Sequence, residues 1–314
     1  MPDKKEKPLL IVVTGPTATG KTRFAADLAY KFDGEIISAD SRQVYRGMDL
    51  ATGKDFTDYI VNGKHIPYHL VDIAEPGDEY NVFEFQKDFI RVFNDIISRG
   101  KTAVLCGGTG MYIEAVLKGY QLIKVPENAQ LRKELEKENT ENLVGKLTGF
   151  KTVHNVTDTS SRDRLVRAIE IQSYYQDHPE IVTDFPEFEA VIFGVHFERT
   201  IIRERITQRL QQRLDDGMPG EVKVLLEKGL TPDQLKFYGL EYRYLTQFVT
   251  GEITYDEMFH QLNTAIHQFA KRQMTWFRRM EKQGIKIHWI DGRLASDEKL
   301  QMALRIIDQI SYSK

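Results

Sequence analysis

The segment Gly15-Pro-Thr-Ala-Thr-Gly-Lys-Thr22 constrains this chain more than any other stretch. It has the spacing G-x-x-x-x-G-K-[ST], follows the apolar run Leu9–Thr14, and opens a helical apolar pattern at 21–32. A strand, a glycine-bearing turn and a helix in that order make a βα unit. Its helix start presents backbone N–H groups and partial positive charge to an anion. Gly15 and Gly20 let the backbone curl around phosphate oxygens, Lys21 adds a full charge, and Thr22 offers a hydroxyl to Mg²⁺. The expected di- or triphosphate cradle is therefore Gly15, Pro16, Thr17, Ala18, Thr19, Gly20, Lys21 and Thr22.

Short apolar runs continue to alternate with helical patterns, which predicts a P-loop-type α/β fold with a mostly parallel sheet and flanking helices. Further strands are expected at Glu35–Ser38, Tyr68–Ile73, Thr102–Cys106, Ala190–His196 and Lys286–Ile290. Several are rich in Ile and Val without polar alternation, as strands covered on both faces are. Helices are expected at 83–99, 110–118, 199–215, 219–228 and 255–283. The rhythm breaks between about 125 and 188. Charged helices at Glu127–Asn139 and Ser161–Gln176 stand there, with connectors at Thr157–Ser161 and His178-Pro179. The predicted organisation is a catalytic α/β core of residues 1–124 and 189–314, interrupted by a mostly helical insertion domain, 125–188.

Charge sets limits on partners. With Lys+Arg 43 against Asp+Glu 46, the formal net charge of −3 excludes a general polyanion coat protein. Three segments run against that balance. Residues 161–170 carry three arginines against two carboxylates, and 198–213 five against two. Residues 270–282 carry Lys271, Arg272, Arg278, Arg279 and Lys282 against Glu281, with Trp276 and Phe277 between them. The single cysteine, Cys106, allows no internal disulfide and no cysteine zinc cage, and its apolar neighbours make it strand filler. His65 and His69 are four apart on a predicted turn and strand, a poor metal pair. No apolar stretch approaches the roughly 18 residues of a membrane span, and the charged start lacks a signal-peptide core. A cytoplasmic enzyme, monomeric by default, is expected.

The chemistry done on the phosphate turns on a partner carboxylate. Asp40, at the end of Glu35-Ile-Ile-Ser-Ala-Asp40, and Asp72, at the end of His69-Leu-Val-Asp72, are the two candidates. Asp40 has the better position, since α/β sheets gather ligands at the carboxyl ends of strands beside the phosphate turn. Asp72 also reads as a simple strand-end residue.

Five motifs then occur in order. After the phosphate turn come Ser38-Ala-Asp-Ser-Arg-Gln-Val-Tyr-Arg-Gly-Met-Asp49, Gly107-Gly-Thr-Gly-Met-Tyr-Ile113, Arg164-Leu-Val-Arg-Ala-Ile-Glu170 and Ala270-Lys-Arg-Gln-Met-Thr-Trp-Phe-Arg278. Together they resemble the tRNA dimethylallyltransferases, also called tRNA isopentenyltransferases, of bacterial type, over about residues 9–290. The resemblance implies transfer of the dimethylallyl group from dimethylallyl diphosphate to N6 of the adenosine adjoining the tRNA anticodon, releasing diphosphate. It implies that the cradle holds a diphosphate leaving group, whose charge Lys21 and a Mg²⁺ on Thr22 offset. It implies Asp40 as general base, Thr109 beside the reacting groups and Arg209 near the diphosphate. Positions matching the family's tRNA contacts are Asp40, Ser41, Arg42, Gln43, Thr109, Arg132 and the stretch Asp163, Arg164, Leu165, Val166, Arg167. The basic segment adds Lys271, Arg272, Trp276 and Arg278 toward a tRNA anticodon stem-loop. As an alternative, Thr109 would cap the helix beginning near Gly110.

Three places depart from the family's pattern. Glu241-Tyr-Arg-Tyr244 replaces a Gly-Tyr-Lys/Arg-Glu/Gln stretch, Asp49-Leu-Ala-Thr-Gly-Lys54 replaces Gly-Thr-Ala-Lys, and Arg213 stands where an apolar residue is common. No zinc-finger extension is expected after residue 290. Two other activities share part of the signal: an adenylate isopentenyltransferase acting on free AMP, ADP or ATP, and a P-loop small-molecule kinase. The basic helical insertion and the Lys271–Arg279 segment favour tRNA over free adenylate, and the kinase reading leaves the Asp40–Met48 and Lys271–Arg279 matches as coincidences.

Overall fold

The run Leu9-Leu-Ile-Val-Val13 builds the strand from which the rest is measured, with Leu10 to Val13 fully buried. A computed structural model describes residues 7–150, 161–178 and 184–312. The connector residues 157–160 and Pro179 lie outside the described residues. The elements run β1 (Leu9–Thr14), α1 (Lys21–Lys31), β2 (Gly34–Ser38), β3 (Ile60–Val61), β4 (Lys64–His65), β5 (Tyr68–His69) and α2 (Val82–Ser98). Then come β6 (Thr102–Gly107), α3 (Gly110–Leu117), α4 (Ala129–Leu135), α5 (Thr140–Phe150) and α6 (Arg162–Asp177). The chain ends β7 (Glu189–His196), α7 (Arg199–Asp215), α8 (Met218–Glu227), α9 (Pro232–Phe237), α10 (Leu240–Val249), α11 (Tyr255–Lys282), β8 (His288–Asp291) and α12 (Ser296–Tyr312).

The main sheet has six strands in the order β5-β2-β6-β1-β7-β8. Every pairing in it is parallel: Val13 stands opposite Cys106 on one side and Phe193 on the other. All carboxyl ends therefore lie along one edge, where β1 delivers the phosphate turn and its neighbours β6 and β7 deliver their own loops. One core cluster joins the sheet to α1 and α12 through Ile11, Val13, Phe24, Leu28, Phe193 and Ile307. A second joins α7, α8, α10 and α11 around Leu210, Met218, Tyr242, Leu245 and Leu262, and takes in Val44 and Met48 from the segment after β2.

All six expected strands form, with one shortened. The run Tyr68–Ile73 is a strand only to His69, because Leu70 and Asp72 adopt left-handed backbone at φ 62 and 54. Asp72 there forms an ion pair with the buried Lys54, so it is a structural counter-ion. The sequence reading missed α5, α9, α10 and the β3–β4 hairpin. The hairpin was legible in Asn62-Gly63, whose φ values of 51 and 74 are those a tight hairpin turn demands.

The chain divides into two units, Met1–Tyr120 with Pro186–Lys314, and Gln121–Phe185. The second unit consists of α4, α5 and α6 among the described residues, packed around Leu135, Leu143, Leu147, Leu165 and Ile169. At its centre Glu170, 2% exposed, accepts from Arg132 (3.0 and 3.1 Å), from the Asn128 N–H and from Arg167. Burial alone would raise the Glu170 carboxyl, but those donors outweigh it and hold it at about 2.

This arrangement predicts acid sensitivity with a defined sign. A depressed carboxyl contributes stability that is complete above its ordinary value near 4.5 and is lost as pH falls toward about 2. Proteolytic cleavage within 121–185 should accelerate over that window. Glu170→Gln should show fast cleavage already at pH 7, with a flattened pH dependence.

Candidate active site

The phosphate turn is shaped by close approach and held by side chains from three other elements. A Cβ at Gly15 would lie 2.5 Å from the Val195 carbonyl oxygen, so only glycine lets β7 run this close. Gly20 takes φ 74 directly before α1, and Ala18 adopts φ 62, a left-handed backbone uncommon for a residue with a side chain. Four contacts hold that conformation. Thr19 Oγ1 donates to Pro16 O (2.9 Å), Arg205 Nε donates to Ala18 O (2.9 Å), and Arg209 donates to Thr17 Oγ1 (3.4 Å). The fourth comes from Gln273 on α11, 8% exposed. Its Oε1 accepts the Thr17 N–H at 2.9 Å while its Nε2 donates to Gly108 O at 2.9 Å. Thr14 Oγ1 also donates to Gly107 O (3.1 Å), fixing the turn to the loop after β6.

Lys21 begins α1 and reaches back to Pro16 O at 3.4 Å. Burial lowers its pKa. Asp40 and Cys106 act in the opposite sense, and Arg209 and Arg213 reinforce burial, so all four act on the same ammonium. Cys106 is buried strand filler whose thiol burial pushes up to about 12.

Asp40 follows β2 and faces this turn from the next but one strand. Its Oδ1 accepts the Arg42 N–H at 2.9 Å, which fixes the carboxylate, and Oδ2 has no hydrogen-bond partner among the described residues. Thr109 N donates to Ala39 O (3.2 Å), and the Thr109 hydroxyl accepts the Ser41 N–H (3.1 Å) and donates to Ser41 Oγ (3.4 Å). Thr109 is the N-cap residue of α3, yet its hydroxyl makes no capping bond. It ties the α3 loop to the segment carrying Asp40 instead. Gln43 turns inward, between Ser38 Oγ (3.4 Å) and Gly53 O (3.0 Å), so its amide braces the loop.

Arg205, Arg209 and Arg213 recur every four residues along one face of α7. Arg209 and Arg213 both donate to Asp55, at 2.9 and 3.3 Å, over Gly53, where a Cβ would collide with nitrogens of both guanidinia. Burial, then the neighbouring Arg209, lowers Arg213 to about 10. Segment 49–54 is held by Glu221, which accepts the N–H groups of Asp49, Leu50 and Ala51 at 2.8, 2.7 and 3.2 Å, and by Lys54, which donates to Tyr45 O at 2.6 Å. Asp55, Glu221 and Gln273 escaped the sequence reading. Gln273 lay inside a quoted motif, but no local pattern says which loops a helix side chain will join.

On α11, Lys271, Arg272 and Arg278 are exposed, as a polyanion surface requires. Trp276 differs. It packs against Gly110, and Arg279 lies 3.9 Å over its ring while pairing with Glu114 at 2.5 Å. Its ring thus serves to pack α11 on the start of α3. In the second unit, Asp163 and Arg164 are exposed, whereas Arg132 and Arg167 are engaged with Glu170. Leu165 is fully buried, which corrects the expectation of a tRNA contact by its side chain: it fills the core beneath the exposed residues, with Val166 packed alongside.

The half-buried Thr22 hydroxyl ends the phosphate turn, and the Asp40 carboxylate acts on Lys21 beside it. Among the described residues no group of three His, Cys, Asp or Glu could hold a metal. Mg²⁺ keeps several waters and leans on substrate phosphates, so this sparse oxygen set fits a Mg²⁺ shared with a bound diphosphate. No helix among the described residues is long and apolar enough to cross a membrane.

The chain matches the IPP transferase family over residues 43–280. It is 57% identical to "tRNA dimethylallyltransferase 2" of Bacteroides fragilis over 93% of this chain and 95% of that protein. It is 54% identical to "tRNA dimethylallyltransferase 1" of Parabacteroides distasonis, over 95% and 97%. Among solved structures, the full-length tRNA isopentenylpyrophosphate transferase of Bacillus halodurans superposes with a TM-score of 0.69 at 30% identity, covering 96% of each chain. A eukaryotic dimethylallyltransferase acting on tRNA shares the fold with a TM-score of 0.75 at 21% identity, over 96% of this chain and 80% of that one.

The Gln273 bridge sets a stability test. Gln273→Ala removes two hydrogen bonds and leaves the Thr17 N–H and the Gly108 carbonyl short of partners, at a cost of about 2–4 kcal/mol. The denaturation midpoint should fall accordingly, and Gln273→Glu, which keeps the acceptor and loses the donor, should lie between.

Proposed function

The chain belongs to the IPP transferase family, and from that premise we propose that it moves the dimethylallyl group of dimethylallyl diphosphate to N6 of the adenosine adjoining the anticodon of tRNA. The observation that carries this reading is one carboxylate, Asp40, anchored by the Arg42 N–H and acting on the same Lys21 that closes the phosphate turn. A kinase or hydrolase would also use a carboxylate here, and the likeness to tRNA dimethylallyltransferases favours prenyl transfer over both.

The chemistry follows from what each group can do. The amides of the turn, the start of α1, Lys21 and Arg209 hold the diphosphate and offset the charge it gains as the allylic C–O bond breaks. The N6 lone pair forms the new C–N bond, and the N6 proton passes to the Asp40 carboxylate, whose Oδ2 is the oxygen left for it. Diphosphate leaves with the C–O electron pair. When bound, a Mg²⁺ held by Thr22 would supply further neutralisation of diphosphate charge.

The acceptor base sits in an anticodon loop, from which it can be splayed into a pocket. Lys271, Arg272 and Arg278 on α11 and Arg164 on α6 give exposed cations for the phosphate backbone. The phosphate turn, Asp40 and the α11 cations come from one chain, so we take the enzyme to act as a monomer, in the cytoplasm where its tRNA substrate is.

Purified protein with Mg²⁺ and labelled dimethylallyl diphosphate should label tRNA carrying adenosines at the anticodon edge. Label on AMP and not on tRNA would overturn the acceptor, and ATP turnover with a small alcohol in place of prenyl transfer would overturn the reaction. Asp40→Ala should lower kcat roughly 10²–10⁴-fold with little change in diphosphate affinity. Arg272→Ala and Arg278→Ala should weaken tRNA binding and flatten its salt dependence.

A further inference from the structure

Resting on the donor reading above, we infer that Arg213 is a second guanidinium clamp for the diphosphate of the prenyl donor, working beside Arg209. An open cleft adjoins the phosphate turn. Thr17 and Ala18 of the turn form one side, Leu210, Met218 and Ile266 an apolar wall, and Arg209, Arg213 and Glu241 its charged groups. A diphosphate joined to a short hydrocarbon has that same division of character.

Arg213 is badly provided for by its own protein. Its side chain is only 14% exposed, yet its one hydrogen-bonding partner among the described residues is Asp55. Both bonds there come from Nη2 at 3.3 Å, to a carboxylate that is half exposed and already accepts from Arg209 at 2.9 Å. Nε and Nη1 have no hydrogen-bond partner among the described residues. Neither is among the fully buried nitrogens that lack a partner, so both are open to an acceptor that enters the cleft.

The two guanidinia are held side by side over Gly53 with a single carboxylate, Asp55, against both. Glu241, on α10, faces both across the cleft but comes within ion-pairing distance of neither. One half-exposed carboxylate, Asp55, is thus shared by two guanidinia, with Glu241 further off, and burial and Arg209 still depress the Arg213 pKa. A diphosphate on the turn, already bonded to Lys21 and Arg209, would supply the missing acceptor oxygens. Glu241 and Arg213 stand in one cleft.

The test is calorimetric binding of inorganic diphosphate, alongside the steady-state KM for dimethylallyl diphosphate and the dissociation constant for tRNA. Arg213→Met should weaken diphosphate and raise the donor KM roughly 10- to 100-fold, as losing charge-assisted hydrogen bonds does, with tRNA affinity unchanged. Arg213→Lys keeps the charge without the fork and guards against a folding defect. It should retain the thermal midpoint of the parent and still lose several-fold in diphosphate affinity. Diphosphate affinity unchanged in both variants overturns the clamp. Lys21→Ala separates the two levels of the argument: if it and Arg213→Met both leave diphosphate binding intact, the donor reading itself fails, whereas loss in Lys21→Ala alone removes only Arg213.

Discussion

One buried amide holds the active site together. Gln273 accepts from the phosphate turn with its oxygen and donates to the loop after β6 with its nitrogen, each at 2.9 Å. A primary amide can do both in one plane, and burying it with both bonds made avoids the cost of an orphan donor or acceptor. Because Gln273 lies on the 28-residue helix α11, the bridge also fixes the exposed face of that helix relative to the chemistry. Lys271, Arg272 and Arg278 are thereby displayed in a set relation to the turn.

Around that bridge the site is assembled from charges that only partly cancel. Lys21, Arg209 and Arg213 converge with Asp40, Asp55 and Glu241, and few of the pairings are close. Structural ion pairs elsewhere in the same chain look different. Glu170 has three donors and Lys54 three acceptors, all within hydrogen-bonding distance. Incomplete pairing in a cleft and complete pairing in a core are the expected signatures of a site built for a ligand and of a site built for stability.

Residues with the same sequence signal had different fates. Arg164 and Arg167 occupy one helix three positions apart, yet the first faces solvent and the second clasps Glu170. Leu165 between them is core, and Trp276, interleaved among cations, packs on Gly110 beneath Arg279. Thr109 reads as a helix cap and in fact bonds Ser41. The expected strand at Tyr68–Ile73 stops early because Asp72 turns to meet Lys54, a partner far off in local pattern. Apart from the local Arg167–Glu170 pair, each case hinges on what arrives from another part of the chain, which residue spacing does not encode.

By itself the sequence determined the phosphate turn, the six parallel strands with their helices, the helical insertion and the motif residues Asp40 and Thr109. These follow from local rules: apolar periodicity, glycine at positive φ, and a helix start that attracts anions. Only the tertiary structure decided which side chains finish the site. Gln273, Asp55, Arg205 and the Arg213–Glu241 cleft come from segments between 55 and 273 that meet at the carboxyl edge of the sheet. A hydrogen bond or an uncompensated charge is a property of two groups in space, so it became visible only when the strands had brought those segments together.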